Sequence, residues 1–248
     1  MQRYFTAPEQ ISGGFARIIG EDVHHILRVM RCRPGDRIIV CAGTGTDYLC
    51  EITETGAEEV LCRIVSESPS TGEPVTRLWI AQSLTKGDKW EWVLQKGTEI
   101  GAAGFIPFTS ERCLIKIDEK KADKKQARWR KIVKEAAEQS HRGRVPEVAP
   151  VMNWKDLLRS VARFEAAFLA WEKGGKALKR AIAETEASEI LLIVGPEGGF
   201  SEREAEEAAG SGAVPISLGS RILRAETAPL FAASCILFAR NDLGGETE

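Results

Sequence analysis

Ile190-Leu-Leu-Ile-Val-Gly-Pro-Glu-Gly-Gly-Phe-Ser201 decides the fold class of this 248-residue chain. An unbroken apolar run closed by glycine and proline reads as a strand buried on both faces. Ser201, followed three residues later by Glu204, reads as a capping box that opens a helix. Such a unit belongs to a parallel α/β sheet, where ligands bind beyond the carboxyl ends of the strands. Similar runs at 78–81, 104–108, 166–171 and 214–218 alternate with helical stretches, which predicts an α/β domain on a largely parallel sheet from residue 72 to 248. Trp90, Val93, Leu94 and Gly97 mark one face of its first helix, and Trp129, Ile132, Val133, Ala136 and Ala137 one face of the second. A last helix over 227–240 has almost no polar face, as expected of a helix buried in a core or a dimer interface.

Residues 1–71 follow a different pattern. Short strand-like runs at 14–19, 37–40, 48–52 and 60–65, punctuated by turns such as Pro34-Gly35-Asp36, predict a small β-barrel or sandwich. The one helix expected there spans 21–31, with Val23, Ile26, Leu27 and Met30 as its buried stripe and His24, Arg28 and Arg31 on a flanking face. The stretch 66–74 is rich in Ser, Pro and Gly and reads as the linker between the two domains.

Composition excludes several classes. With 34 Lys and Arg against 36 Asp and Glu, the chain has no general basic field, so any nucleic-acid contact must be local. Six cysteines, at 32, 41, 50, 62, 113 and 235, form no C-x-x-C pair and accompany three histidines. Neither a metal site nor a disulfide framework is signalled, and a reducing, cytoplasmic setting is expected. No apolar leader or membrane-length run occurs, so no membrane partner is expected.

The glycine loop matches neither G-x-G-x-x-G nor a P-loop, and Glu197, Glu202 and Glu204 crowd a helix start that a phosphate would otherwise occupy. A phosphate-free ligand with a cationic centre fits that charge better. A tight, well-capped connection with no ligand explains the loop equally well. In 218–228, Arg221, Arg224 and Glu226 are either an arginine–carboxylate brace or a site where Arg224 stabilises negative charge. Residues 111–144 hold twelve cations against six acids. Lys120, Lys121, Lys124 and Lys125 read as a solvated helix face, whereas Gln139, Arg142 and Arg144 at the helix end, with Arg28, Arg31 and Arg33, suit a two-part RNA groove. His24 and His25 lie beside these arginines, with no nucleophile motif near them.

Several segments together, in order along nearly the whole chain, resemble one family. They are Arg3-Tyr4-Phe5, His25-x-x-Arg28-Val29, Gln95-Lys96-x-Thr98-Glu99-Ile100-Gly101, Arg128-Trp129, Glu135-Ala136-x-Glu138-Gln139-Ser140-x-Arg142, Gly195-Pro-Glu-Gly-Gly199 and Leu218-Gly-x-Arg-Ile-Leu-Arg-x-Glu-Thr-Ala228. The family is ribosomal RNA small-subunit methyltransferase E, which acts on N3 of uracil 1498 in 16S rRNA. The resemblance implies a PUA-like β-barrel over 1–71 and a SPOUT-superfamily domain over 72–248, trefoil-knotted, dimeric and binding S-adenosylmethionine. It places cofactor contacts at Leu169 and Ala170, at Gly195, Pro196, Gly198 and Gly199, and at Leu218, Gly219, Ile222, Leu223 and Arg224. Leu218 and Leu223 would hold the adenine.

In that setting Arg224 and Glu226 are the catalytic candidates. Arg224 would stabilise the uracil imide anion, while Glu226 takes the N3 proton, holds the arginine, or caps the last helix. RNA contacts are expected from Arg3, His24, Arg28, Arg31, Arg33, Lys86, Arg112, Gln139 and Arg142, with 16S rRNA of the small subunit as partner. Alternatives are a SPOUT enzyme acting on another RNA nucleotide and a non-catalytic RNA-binding assembly factor.

Overall fold

A computed structural model describes residues 1–115 and 119–243, with the side chains of 119–121 left aside. The chain divides into two compact units, Met1–Glu73 with Lys134–Val145, and Pro74–Val133 with Pro146–Glu248.

In the first unit β1 (Arg3–Phe5), β2 (Ile11–Ser12), β3 (Phe15–Ile19), β4 (Arg37–Cys41), β5 (Thr46–Thr55) and β6 (Glu59–Pro69) form one curled sheet in the order β1-β4-β5-β6-β3-β2. Only the β1–β4 pair is parallel. Alternation sends Ala16, Ile18, Ile38, Val40, Cys50, Ile52, Val60 and Cys62 inward, where they pack with Tyr4 and Ile26. Register shifts after Leu49 and Ile52 give the long β5–β6 ribbon the twist that curls the sheet. β1 and β2, at three and two residues, are too short for a period-2 pattern to reveal. β6 runs to Pro69, so the first half of the expected linker is strand.

The expected helix is shorter and irregular. α1 (Glu21–His24) passes into a π turn over His25–Val29, in which the Met30 N–H donates to the His25 carbonyl at 2.9 Å. The wider turn rotates the stripe out of phase: Val23 and Ile26 are buried, but Met30 is 45% exposed.

Residues 134–145, expected in the second domain, cluster with the first unit for an electrostatic reason. The Arg142 guanidinium forks onto Glu73 through two bonds of 2.8 Å, and Arg3 donates to Asp47 at 2.8 Å and to the Arg142 carbonyl at 3.0 Å. Glu138 accepts the Phe5 N–H at 3.2 Å, and Lys134 pairs with Asp22 at 2.6 Å.

The second unit carries β7 (Arg77–Ser83), α2 (Lys89–Ile100), β8 (Gly104–Thr109), α3 (Glu119–Gln139, its last residues in the first unit), β9 (Glu147–Val148), β10 (Met152–Asn153) and α4 (Trp154–Val161). These are followed by β11 (Ala166–Ala170), β12 (Lys176–Ala177), α5 (Leu178–Ala183), β13 (Glu189–Val194), α6 (Glu202–Gly210), β14 (Val214–Ser217) and α7 (Thr227–Ala239). Its sheet is parallel throughout, ordered β10-β8-β7-β13-β11-β14-β12 with β9 beside β8. Successive side chains of each strand serve two cores. Leu78, Ile80, Ile190, Leu192 and Phe168 meet α2, α3, α5 and α7 on one face; Ala81, Leu191, Ile193, Ala167 and Leu169 meet α4 and α6 on the other. This explains why the strands read as continuous apolar runs. α7 buries Ala232, Ala233, Ile236 and Leu237 but leaves Phe231 40% and Phe238 68% exposed.

Among the described residues no helix is long and apolar enough to cross a membrane, and no cluster of His, Cys, Asp or Glu could hold a metal. Lys120 and Lys121, read as part of a solvated face, lie outside the residues whose side chains are described; Lys124 is exposed and Lys125 half-buried.

Candidate active site

β11, β13 and β14 end side by side, and each runs into a loop that its neighbours cannot cover. Between them opens a cavity of about 530 Å³, lined by 170–172, 194–200 and 217–225 with Lys89 and Ala228. The middle loop is fixed by its own sequence. The Ser201 side chain accepts the Glu204 N–H, and the Glu204 carboxylate accepts the Ser201 N–H at 2.9 Å, so α6 starts in one place. Gln82, buried at the end of β7, donates to the Gly195 carbonyl at 2.8 Å, and Arg112 donates to the Gly198 carbonyl at 2.9 Å. Gly199 turns the chain at φ +63°, and a Cβ there would lie 2.5 Å from the Glu172 carboxylate.

Charge in the cavity is organised around Lys89, at the start of α2. Its ammonium lies 2.9 Å from Glu197 of the glycine loop and 3.7 Å from Glu226 ahead of α7, and Glu226 also faces Arg224 at 3.9 Å. Burial works against the Glu197 anion, but bonds from the Lys89 ammonium and the Lys86 N–H prevail and hold its carboxyl below the usual range. Glu226 stands at the N-terminus of α7 with no side-chain capping bond, and among the described residues its buried Oε2 has no hydrogen-bond partner. Among the described residues the buried Trp171 indole N–H at the cavity likewise has no partner. Arg224, by contrast, is 82% exposed at the mouth.

Of the expected cofactor contacts, Ala170, Gly195, Pro196, Gly198, Gly199, Leu218, Gly219, Ile222, Leu223 and Arg224 all line this cavity. Leu169 does not: alternation along β11 turns it into the core against α4 and α6, where it is fully buried. Lys89, Gln82 and Glu172 were not singled out in the sequence. A lysine at a helix start and a glutamine inside a strand carry no local signal that reveals such partners.

The expected RNA contacts divide. His24, Arg28, Arg31, Arg33 and Gln139 are exposed on the first unit, and Lys86 is exposed on the second. Arg3 and Arg142 are corrected: at 4% and 3% exposure they are interior residues, each neutralised by a carboxylate, and no phosphate could reach them. Arg112 is exposed but its guanidinium is engaged with the glycine loop, so it braces the cavity.

Comparison with known proteins agrees with this geometry. Residues 71–237 match the model of an RNA methyltransferase domain, and residues 18–65 that of an RNA methyltransferase PUA domain. The ribosomal RNA small subunit methyltransferase E of Bacillus subtilis is 41% identical, over 99% of this chain and all of its own length. Its counterpart from Synechocystis is 35% identical, over 94% of this chain and 76% of its own. The crystal structure of the Neisseria gonorrhoeae ribosomal RNA small subunit methyltransferase E bound to S-adenosyl methionine superposes with a TM-score of 0.87 at 31% identity, covering 96% of this chain and 98% of that one. A Legionella pneumophila methyltransferase in complex with the same cofactor gives 0.87 at 30% identity, covering 96% and 97%. The curled sheet is thus a PUA-like domain and the parallel sheet an RNA methyltransferase domain, and the chain belongs to the ribosomal RNA small subunit methyltransferase E family.

Proposed function

We propose that this protein methylates N3 of uracil 1498 in 16S rRNA of the small ribosomal subunit, with S-adenosylmethionine as methyl donor. The observation that carries the reading is the cavity at the ends of β11, β13 and β14, bounded by a braced glycine loop on one side and by Arg224 on the other, with Glu226 3.9 Å from that arginine. The cavity suits the donor. Its half-buried apolar residues Leu218 and Leu223 match an adenine, the buried Trp171 N–H is an unused donor, and the turn at Gly199 lets backbone approach a ligand. Of the carboxylates that line the cavity, Glu197 is paired with Lys89, while Glu172 lies against the Gly199 turn, where it suits a cationic group better than a phosphate.

When bound, the cofactor supplies a methyl group on a positively charged sulfur. Uracil N3 must lose its proton before its lone pair can form the new N–C bond as the S–C bond breaks. Arg224, at the open mouth, stabilises the resulting negative charge on the imide. Glu226 faces two cations and holds Arg224 in place, and the proton leaves to solvent. His24, Arg28, Arg31, Arg33 and Gln139 of the first unit, with Lys86 of the second, contact the RNA. We further assign the protein to the cytoplasm, a trefoil knot to the methyltransferase domain, and a homodimer to the face carrying the exposed Phe231 and Phe238 of α7.

The test is transfer of labelled methyl to small subunits from cells that lack this gene, followed by nucleoside analysis. 3-Methyluridine is the expected product. Another methylated nucleoside would refute the assigned base atom, and cofactor binding without any transfer would refute the assigned substrate.

A further inference from the structure

Lys89 lies outside the three loops that define the cavity, yet it is the group that joins two of them. Its ammonium is within 2.9 Å of Glu197 on the glycine loop and 3.7 Å of Glu226 on the segment leading into α7. These carboxylates are 29 residues apart in sequence, one on the glycine loop that lines the cavity and one on the segment just after Arg224. The other cation that Glu226 faces, Arg224, is 3.9 Å away and 82% exposed, whereas the Glu226 side chain is only 18% exposed.

We propose that Lys89 is a positioning residue that fastens the glycine loop to the Arg224–Glu226 segment and so sets Arg224 at the acceptor base. The inference rests on the methyl-transfer reading above. Lysine suits the task because its ammonium carries three divergent donors on a flexible stem and can serve two carboxylates from different directions. The set is also balanced in charge: two carboxylates, one ammonium and one guanidinium. Without Lys89 the Glu226 carboxylate is no longer tied to the glycine loop, and Arg224, which Glu226 faces at 3.9 Å, loses its fixed partner. The bond from Glu197 raises the Lys89 ammonium above the usual lysine value.

The experiment compares wild type, Lys89→Met and Lys89→Arg in methyl transfer to small subunits, with cofactor Kd by calorimetry and Tm alongside. For Lys89→Met, kcat is expected to fall about tenfold or more while the cofactor Kd changes less than about threefold and Tm holds. Lys89→Arg, which keeps the charge, is expected to recover most of the loss. A Lys89→Met kcat within about twofold of wild type overturns the proposal, as does an arginine variant no better than the methionine one. A second readout needs no substrate: the nitrogen-15 ammonium resonance of Lys89 is expected to shift in both Glu197→Gln and Glu226→Gln. Insensitivity to either change refutes the tie. Absence of transfer by wild type, with that resonance responding, refutes the substrate and leaves the tie standing.

Discussion

Arg142 and Arg224 look alike in the sequence, each within three residues of another arginine and within four of a glutamate, and the fold treats them in opposite ways. Arg142 is 3% exposed and locked bidentately to Glu73 in the PUA-like unit. Arg224 is 82% exposed and meets its glutamate only at 3.9 Å in the methyltransferase unit. The first is neutralised and dry, so it holds structure; the second is exposed at a cavity with its carboxylate 3.9 Å away, so it can act on something that arrives. A charged residue becomes functional where the fold leaves it unfinished.

The comparison breaks first at Arg142. Glu73→Ala removes two bonds from the buried Arg142 guanidinium and the acceptor of the Gly143 and Arg144 N–H groups. A loss of about 3–5 kcal/mol from the PUA-like unit is expected in urea unfolding. A variant as stable as wild type would show that Arg142 is not structural. On the other side, Arg224→Ala is expected to lower the rate of methyl transfer about 100-fold or more, roughly 3 kcal/mol, with little change in unfolding midpoint. Retained single-turnover rate would demote it to a surface residue.

Smaller effects sharpen the contrast within the first unit. Its exposed arginines should behave unlike Arg3 and Arg142: Arg28→Ala with Arg31→Ala is expected to weaken RNA binding about tenfold at low salt, to flatten the salt dependence, and to leave stability unchanged. Binding that ignores both changes would remove this face from the RNA site. Glu138 gives the smallest and most specific effect. Burial first, then the Asp22 carboxylate, outweigh Lys134 and the Phe5 N–H and lift its carboxyl to about 7 from 4.5. Between these values the unfolded chain gives up its proton before the folded one does. Stability contributed here is therefore present at low pH, falls as pH rises from 4.5 to about 7, and is level above. Glu138→Gln should remove that slope and leave the variant more stable than wild type at pH 8, which urea midpoints across pH would show.

Much of the second unit is legible without coordinates. The strands at β7, β8, β11, β13 and β14, the α6 capping box and the span of α7 all follow from local pattern, because buried parallel strands are long apolar runs and a capping box is written within four residues. The first unit is less legible. β1 and β2 fall below the length at which alternation can be seen, and the π turn at His25 breaks the period that the helix stripe assumes. Among site residues, the glycine loop and the 218–224 loop announce themselves by composition. Of the expected neighbours Leu169 and Ala170, alternation along the strand turns Leu169 into the core and leaves Ala170 to line the cavity.

What the sequence alone determined is everything encoded by neighbours along the chain: the two fold patterns, the capped glycine loop, and through its ordered motifs the family. What only the tertiary structure decided is which charges are spent. Arg3 meets Asp47 across 44 residues, Arg142 meets Glu73 across 69, and Lys89 meets Glu197 across 108. No local rule specifies such pairs. The energy of a charge depends on its partner and on the water left around it, and both are set by how distant segments pack.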